Sequence, residues 1–174
     1  MDDKLVMKSS CKAGFTLVEV LVSILLAGLA FMLFLQALNT GKNVRVKSEL
    51  RTRQSALLNS IENLIRARRF DENNLAPWTS AVSLGVDSNE TSINQFDDVD
   101  DFNNYITDSI SDYPGFSYDI KVFYSEPKTL TGINAGTYFF TYSDNQTNYK
   151  SVAISIAHST LSSLNDTLII TPRP

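Results

Sequence analysis

Four aspartates in the segment FDDVDDF have the clearest potential for metal chemistry: Asp97, Asp98, Asp100 and Asp101. Calcium prefers several carboxylate oxygens, so these four residues are the candidate ligands. The segment does not follow the D-x-D-x-D-G calcium loop, and no glutamate follows at the spacing that completes such a site. We therefore favour a solvated acidic loop that pairs with a basic helix of a neighbouring molecule. Calcium binding is the alternative.

Residues for other common chemistries are few. His158 is the only histidine and Cys11 the only cysteine, so zinc binding and a disulfide within the chain have no support. The G-x-S-x-G, phosphate-loop and dinucleotide-binding patterns do not occur. His158 continues the face of Ile154 and Ile156 in a predicted strand, where we expect a partly buried or edge histidine. The sequence therefore predicts that the protein is not an enzyme and that it needs no cofactor, calcium aside.

One further carboxylate lies inside an apolar run of membrane length. From Phe15 to Leu38, Glu19 is the only charged residue. A helix of this length reaches ~36 Å, enough to cross a bilayer core of ~30 Å, and in lipid only a helix satisfies its own backbone groups. The run is too long for the apolar part of an ordinary signal peptide, and the small residues Ala13 and Gly14 precede it. The sequence predicts a membrane helix that any cleavage before Phe15 would leave on the protein.

The segment KAGFTLVEVLVSILLAG resembles the type IV prepilin signature. In that signature a short basic leader and a glycine precede an aromatic residue, and a glutamate stands at the fifth mature position. The resemblance implies that prepilin peptidase, on the cytoplasmic side, cleaves between Gly14 and Phe15 and N-methylates Phe15. The basic residues of the leader are Lys4, Lys8 and Lys12.

The resemblance also explains why a carboxylate is tolerated at position 19. A carboxylate near the edge of a bilayer costs ~2–3 kcal/mol unless it is neutralised or paired. Cleavage would uncover a positive amino group on Phe15 at the same end of the helix. In filaments of this family, Glu19 of one subunit is expected to meet the Phe15 amine of a neighbour and to set the axial register. The alternative is that Glu19 reaches the membrane interface and has no partner.

Flanking charge and the prepilin resemblance predict opposite membrane orientations. Three lysines precede the apolar run, and five basic residues follow it closely: Lys42, Arg45, Lys47, Arg51 and Arg53. The positive-inside tendency would place the C-terminal part in the cytoplasm. The resemblance implies a single-pass inner-membrane protein with a cytoplasmic N-terminus and a periplasmic C-terminal domain, which reaches the cell surface when a pilus assembles. We follow the resemblance, because flanking charge is only a bias.

The sequence divides into four predicted segments. These are a leader (1–14), a transmembrane or filament-core helix (15–38), an amphipathic continuation of that helix (39–69) and a sheet domain with the acidic loop (70–174). The apolar positions of the continuation recur at helical spacing: Val46, Leu50, Leu57, Ile61 and Leu64. Gly41 is the expected point of flexibility, since glycine costs ~1 kcal/mol relative to alanine in a helix.

Alternating patterns predict strands in the last third of the chain. The predicted strands are GFSYDIKVFY, TYFFTYS, YKSVAISIAH and DTLIITP, and turn-rich segments between them predict an antiparallel meander. Residues 70–111 are predicted to be mostly loop. The apolar face of the sheet needs cover, and the apolar stripe of the helix is available. The predicted fold class is α+β, with a long N-terminal helix packed on a small C-terminal antiparallel sheet, as in type IV pilins.

Two short segments, FDENNLAP and FDDVDDFNNY, add a narrower resemblance to D-type minor pilins of the mannose-sensitive haemagglutinin (MSHA) pilus of Gram-negative bacteria. It implies a low-abundance subunit that takes part in pilus assembly or tip formation, and so in adhesion. The expected partners are prepilin peptidase and other pilins or pseudopilins, through the N-terminal helix. The alternatives are a pseudopilin of a type II secretion system and a DNA-uptake minor pilin. Nucleic-acid binding is not expected, because the net charge is −4 and the lysines of the second half are scattered.

Overall fold

The computed structural model describes residues 14–88, 90–108, 110–129 and 138–173. The elements in chain order are helix α1 (Leu17–Arg66), a short 3₁₀-helix (Asp100–Phe102) and five strands: β1 (Tyr105–Thr107), β2 (Phe116–Thr129), β3 (Tyr138–Tyr142), β4 (Lys150–His158) and β5 (Leu161–Ile170). The chain divides after Val46 into two compact units, and α1 contributes residues to both.

Helix α1 is one continuous helix of 50 residues. The helix is continuous through Gly41, and the flexibility expected at this residue stays a prediction. The helix ends at Arg66 rather than near Arg69, where the backbone N–H of Arg69 instead donates to the carbonyl of Asp97. Its buried side chains all lie in the last part of the helix: Gln54, Leu57, Leu58, Ile61 and Ile65. Val46, which the pattern assigned to the apolar stripe, is exposed.

Strand β2 is the centre of the antiparallel sheet. Its first part, Phe116–Tyr124, pairs with the whole of β4, and β1 pairs with Tyr118–Ile120. The last part of β2, Ser125–Thr129, pairs with β3. Strand β4 also pairs with β5, so the order is β1-β2-β4-β5 with β3 off this path.

The sheet differs from a simple meander at one place. Strand β4 returns to pair with β2 rather than with β3, and residues 143–149, which connect β3 to β4, form hydrogen bonds with β2 and with one another. In these bonds the Thr147 hydroxyl donates to the carbonyls of Ser125 and Tyr149. Strand β5 begins at Leu161, earlier than the DTLIITP segment predicted. Strand β1 and the 3₁₀-helix lie within the stretch predicted to be loop.

The core lies between the last part of α1 and one face of the sheet. Alternate residues of β2 are buried, as the pattern predicted: Phe116, Tyr118, Ile120, Val122 and Tyr124. Leu57, Ile61 and Ile65 of the helix lie in the same cluster as most of them, together with Ile154 and Ile156 of β4. Each such side chain contributes roughly 1.5–3 kcal/mol by leaving water. The predicted α+β arrangement, a long helix packed on a small antiparallel sheet, is confirmed.

The alternating aromatic residues of β3 are not part of this core. Tyr138, Phe140 and Tyr142 are exposed. They are exposed because β3 pairs with the last part of β2, which lies beyond the stretch that pairs with β4.

Candidate functional site

The four aspartates of the acidic segment have different environments. Asp97 is half exposed, with 51 % of its side chain accessible, whereas Asp98, Asp100 and Asp101 are buried. The predicted solvated loop is therefore wrong for three of the four residues. The cause is local hydrogen bonding. Asp98 Oδ1 accepts the backbone N–H groups of Asp100 (2.8 Å) and Asp101 (3.3 Å), and Asp101 Oδ2 accepts those of Asp97 (3.0 Å) and Asp98 (3.1 Å).

A buried lysine completes the arrangement. The Lys150 side chain has no accessible surface, and its Nζ donates to Asp71 Oδ2 (2.9 Å), Asp100 Oδ1 (2.5 Å) and the carbonyl of Phe70 (2.6 Å). These three acceptors match the three donors of an ammonium group. The nitrogen also lies 4.7 Å from the centre of the Phe70 ring and 5.7 Å from that of Tyr124. Lys150 is thus a fully satisfied buried cation that joins β4 to the segments around residues 71 and 100.

The carboxyl groups of this network differ in pKa. Burial alone would raise the pKa of Asp71, but hydrogen bonds from Lys150 and from the backbone of Thr79 and Asn73 outweigh it, and the pKa lies below its ordinary value. Burial, followed by a hydrogen bond between the Asp98 and Asp100 side chains and by the negative charge of Asp100, raises the pKa of Asp98 to about 8. This shift favours the protonated form of Asp98 near neutral pH, and that form would reduce the negative charge around the one buried lysine.

The possible metal ligands are not the predicted set. Carboxylate oxygens of Glu90, Asp97 and Asp101 lie within 4.8 Å of one another, whereas Asp98 faces backbone donors and Asp100 faces Lys150. With one oxygen from each carboxylate the group offers three ligands, fewer than the six to eight that calcium takes. Burial, followed by the hydrogen bond with Asp101 and its charge, raises the pKa of Glu90 to about 7. Calcium binding stays a prediction, with Glu90 as a ligand that the sequence pattern did not indicate.

The acidic segment finds its basic partner within the same chain. Arg69 Nη2 lies 2.5 Å from Asp97 Oδ2 and 3.8 Å from Glu72 Oε1. The expectation that this segment pairs with a basic helix of a neighbour is therefore corrected for Asp97. Arg69 reaches it because the chain leaves the helix at Arg66 and runs beside residues 97 and 98, with which Arg69 forms an isolated parallel bridge.

His158 lies at the end of β4 and is partly buried, as predicted. Its ring packs on Phe116, with 4.6 Å between ring centres, and its Nδ1 accepts the backbone N–H of Thr160 at 3.2 Å. These contacts give His158 a structural position at the β4–β5 turn.

At the N-terminal end of α1, the side chain of Thr16 caps the helix just before its apolar part begins. Thr16 Oγ1 accepts the backbone N–H of Glu19 at 3.3 Å, and α1 begins at Leu17. Thr16 and Glu19 form the T-x-x-E pattern typical of a helix start, a signal that could have fixed this boundary from sequence. The Ser23 hydroxyl donates to the carbonyl of Glu19 at 2.7 Å. Phe15 lies before the first turn and is 78 % exposed.

The apolar part of α1 is exposed along its whole length, from Leu17 to Leu38. Within the described residues, α1 is the one helix long and apolar enough to cross a membrane, and none of its most apolar stretch is buried. Exposure of so many large apolar side chains indicates a surface that a membrane or other helices cover.

Residues 9–35 match the family of the prokaryotic N-terminal methylation motif. The motif indicates a type IV pilin- or pseudopilin-type protein that prepilin peptidase processes and that assembles with other pilins. No curated protein and no solved structure matches the chain.

The methylation motif contains the residues predicted for processing and register, Gly14, Phe15 and Glu19. The three leader lysines, at positions 4, 8 and 12, lie outside the residues that the structure describes. Together, the methylation motif and the exposed apolar helix fit membrane anchoring.

Proposed function

We propose that this protein is a minor pilin-like structural subunit of an MSHA-type type IV pilus. It acts in pilus assembly or tip formation and so in adhesion, with no catalytic step of its own. The pilin-like part of the proposal rests on three features that follow one another along the chain, and the MSHA-type part rests on the two short segments FDENNLAP and FDDVDDFNNY. A methylation motif is followed by a helix whose first part is apolar and exposed, and the last part of that helix packs on a small sheet. The first part suits lateral packing of helices, and the second carries a folded domain.

The pilus proposal gives Glu19 and Phe15 a joint role in assembly. Glu19 lies in the first turn of α1, and no described side chain pairs with its carboxylate. Cleavage after Gly14 would create an ammonium group on Phe15, just before the helix start. Coulomb attraction between Glu19 of one subunit and this amine of a neighbour would be strong away from water. The pair would then fix the axial register, while the apolar residues around it fill the filament core.

Before assembly, the proposed location is the inner membrane. The proposed topology is a cytoplasmic N-terminus, a single span within 15–38 and a periplasmic sheet domain. The methylation motif supports it, because prepilin peptidase acts at the cytoplasmic side. The basic residues that follow the span are the opposing feature, and a cysteine-labelling experiment with membrane-impermeant reagents at Ser162 in whole cells would decide between the two orientations.

Mass spectrometry of the N-terminus tests processing. In cells with prepilin peptidase we expect the chain to begin at N-methyl-Phe15, and without the peptidase to retain the leader. Gly14→Val should block maturation. Gly28→Val is the matched control, because it adds the same side chain within the apolar helix, where a Cβ meets nothing within 4 Å. A wild-type chain that still begins at Met1 in the presence of the peptidase would overturn the proposal.

A type II secretion pseudopilin is the second candidate, because the methylation motif indicates pilins and pseudopilins alike. Deletion of the gene separates the two functions. Loss of surface pili with normal enzyme secretion supports the pilus subunit, and loss of secreted enzymes with normal pili supports the pseudopilin.

A further inference from the structure

A pocket of about 180 Å³ lies where the chain leaves helix α1. Three separate segments line it: residues 67–71 directly after the helix, the loop around residues 73–78, and residues 172–173 after β5. At ~30 Å³ per water molecule the pocket has room for roughly six waters. It does not involve the proposed assembly residues, so it is an independent feature of the folded domain.

The pocket contains an arginine without a protein partner. Arg68 is half buried, its Nε is inaccessible to water, and no described residue accepts a hydrogen bond from its guanidinium. The other two basic residues of the lining are engaged, since Arg69 pairs with Asp97 and Arg173 donates to the carbonyl of Arg66. Arg68 lines the pocket without a carboxylate partner among the described residues, so its positive charge is available to an anion that enters.

The acidic group in the lining does not neutralise Arg68. The carboxylate of Asp71 is buried and is held by Lys150, by the backbone N–H of Asn73 and by Thr79. The pocket therefore has a net positive charge that faces solvent.

Besides its charged residues, the lining of the pocket contains an aromatic side chain, Trp78, whose position several contacts fix. Trp78 packs edge-on against Phe70, with ring centres 5.0 Å apart. Its indole N–H donates to Asn148 Oδ1 at 2.9 Å, and its carbonyl accepts from Gln146 Nε2 at 2.5 Å. A pre-positioned indole offers a flat apolar surface, which suits the C–H face of a sugar ring. The side-chain amide of Asn74, also in the lining, suits hydroxyl groups, whereas Asn73 Nδ2 already donates to the carbonyl of Pro77.

We infer that this pocket binds a monosaccharide that carries one carboxylate or phosphate group, with the anionic group on Arg68 and the ring against Trp78. A guanidinium can form bidentate hydrogen bonds with a carboxylate or with a phosphate, so the residues of the pocket do not select between these two anions. Four probes separate the contributions: glucuronate, glucose 6-phosphate, neutral glucose, and inorganic phosphate without a sugar.

The experiment uses the full chain in detergent and reads the fluorescence of Trp78, which is the only tryptophan. We expect saturable changes with glucuronate or glucose 6-phosphate, and binding at least about tenfold weaker for glucose. Whichever acidic sugar binds more tightly identifies the anion. Inorganic phosphate that binds as tightly as both acidic sugars would overturn the sugar part of the inference. No saturable signal with either acidic sugar, in fluorescence and in ligand-detected NMR, would overturn all of it.

Arg68→Gln should weaken binding of the acidic sugar about tenfold or more and leave the weak glucose binding unchanged. Lys121→Gln is the matched control, because it removes the same charge from an exposed position of β2 that does not line this pocket. If Arg68→Gln lowers the melting temperature, Arg68→Lys is the second variant. It keeps the positive charge but loses the bidentate guanidinium, so its affinity should be intermediate. Wild-type affinity in a folded Arg68→Gln variant would contradict the assignment.

Discussion

The first turn of α1 and the network around Lys150 both place carboxylates next to apolar residues, but in opposite ways. Glu19 is exposed, and its two hydrogen bonds join its backbone N–H and carbonyl, not its carboxylate, to the side chains of Thr16 and Ser23. The carboxylates of Asp71 and Asp100 are buried, and both contact one lysine from β4. The first arrangement leaves a charge available for another molecule, whereas the second uses every donor of its cation within the chain. We therefore interpret the exposed carboxylate of Glu19 as an assembly contact, and the buried carboxylates of Asp71 and Asp100 as part of the structure of the folded domain.

The strongest test of this contrast is Lys150→Met. The substitution keeps an unbranched apolar stem and removes the ammonium, so Asp71 and Asp100 remain buried without their cation. Breaking a buried pair in this way costs about 3–5 kcal/mol. We expect the free energy of unfolding, measured by urea denaturation, to fall by that amount.

Lys121→Met supplies the control for that measurement, since it changes an exposed lysine of the neighbouring strand β2. It should change the free energy of unfolding by less than about 0.5 kcal/mol. Equal stability of the two variants would mean that Lys150 is not the centre of a buried network.

The opposite region is tested by Glu19→Ala. This change should leave the stability of the sheet domain and cleavage after Gly14 largely intact, because Glu19 is exposed and its carboxylate has no hydrogen bond or ion pair with a described residue. Incorporation into filaments should fall about tenfold or more, as expected when a desolvated ammonium loses its partner. The measurement is the ratio of filament-associated to membrane-associated protein. Ser23→Ala, one turn further along α1, is the control.

Normal incorporation of Glu19→Ala would remove the support for a register-setting pair. It would leave Glu19 with the local role that its position already gives it, a carboxylate in the first turn that favours the helix dipole.

The two regions also differ in how far sequence predicts them. The apolar run, the glutamate and the small residues before the cleavage point lie within one continuous segment, so local sequence predicts their grouping. The core face of β2 was predictable for the same reason, since strict alternation from Phe116 to Tyr124 is a local property. The α+β architecture follows from these two patterns, because the apolar stripe of the helix and the apolar face of the sheet must cover each other.

The Lys150 network could not be predicted in this way. Its carboxylates come from positions 79 and 50 residues earlier in the chain. Asp71 lies in an irregular segment and Asp100 begins a three-residue 3₁₀-helix, and neither segment has an apolar periodicity. One signal was present in the sequence. Lys150 lies two residues before Val152 and so alternates in step with the buried residues Val152, Ile154 and Ile156, which places it on the core face of β4. A lysine on such a face requires an acidic partner, and the acidic segment was the place to seek it.

A smaller effect is expected from Asp98→Asn, which tests the protonated carboxyl of the network. The pKa of Asp98 is about 8 in the folded chain and near 3.8 when unfolded, so folding takes up a proton between these values. The contribution of Asp98 to stability is therefore greatest below about pH 4, falls as the pH rises and is lowest above pH 8. Asparagine keeps an oxygen for the N–H groups of Asp100 and Asp101 without this proton uptake.

We expect Asp98→Asn to be more stable than the wild type at pH 8, by about 1–2 kcal/mol, and to lose this advantage at pH 4. Chemical denaturation at both pH values measures the difference. Asp112→Asn, at an exposed position, should leave the pH dependence unchanged. A pH dependence of Asp98→Asn identical to that of the wild type would show that Asp98 is ionised in the folded protein.

The smallest expected effect concerns Arg69, at the boundary between the buried network and solvent. Its guanidinium and the Asp97 carboxylate form a close pair, but both side chains are about half exposed, and exposed pairs contribute about 0.2–1 kcal/mol. Arg69→Gln should therefore lower the free energy of unfolding by less than about 1 kcal/mol, and the difference should shrink in 1 M salt. The loss from Lys150→Met should persist in the same salt, because its charges have no contact with solvent ions. A salt-insensitive loss of several kcal/mol for Arg69→Gln would contradict this expectation. It would mean that Asp97 belongs to the buried network with Asp98 and Asp100.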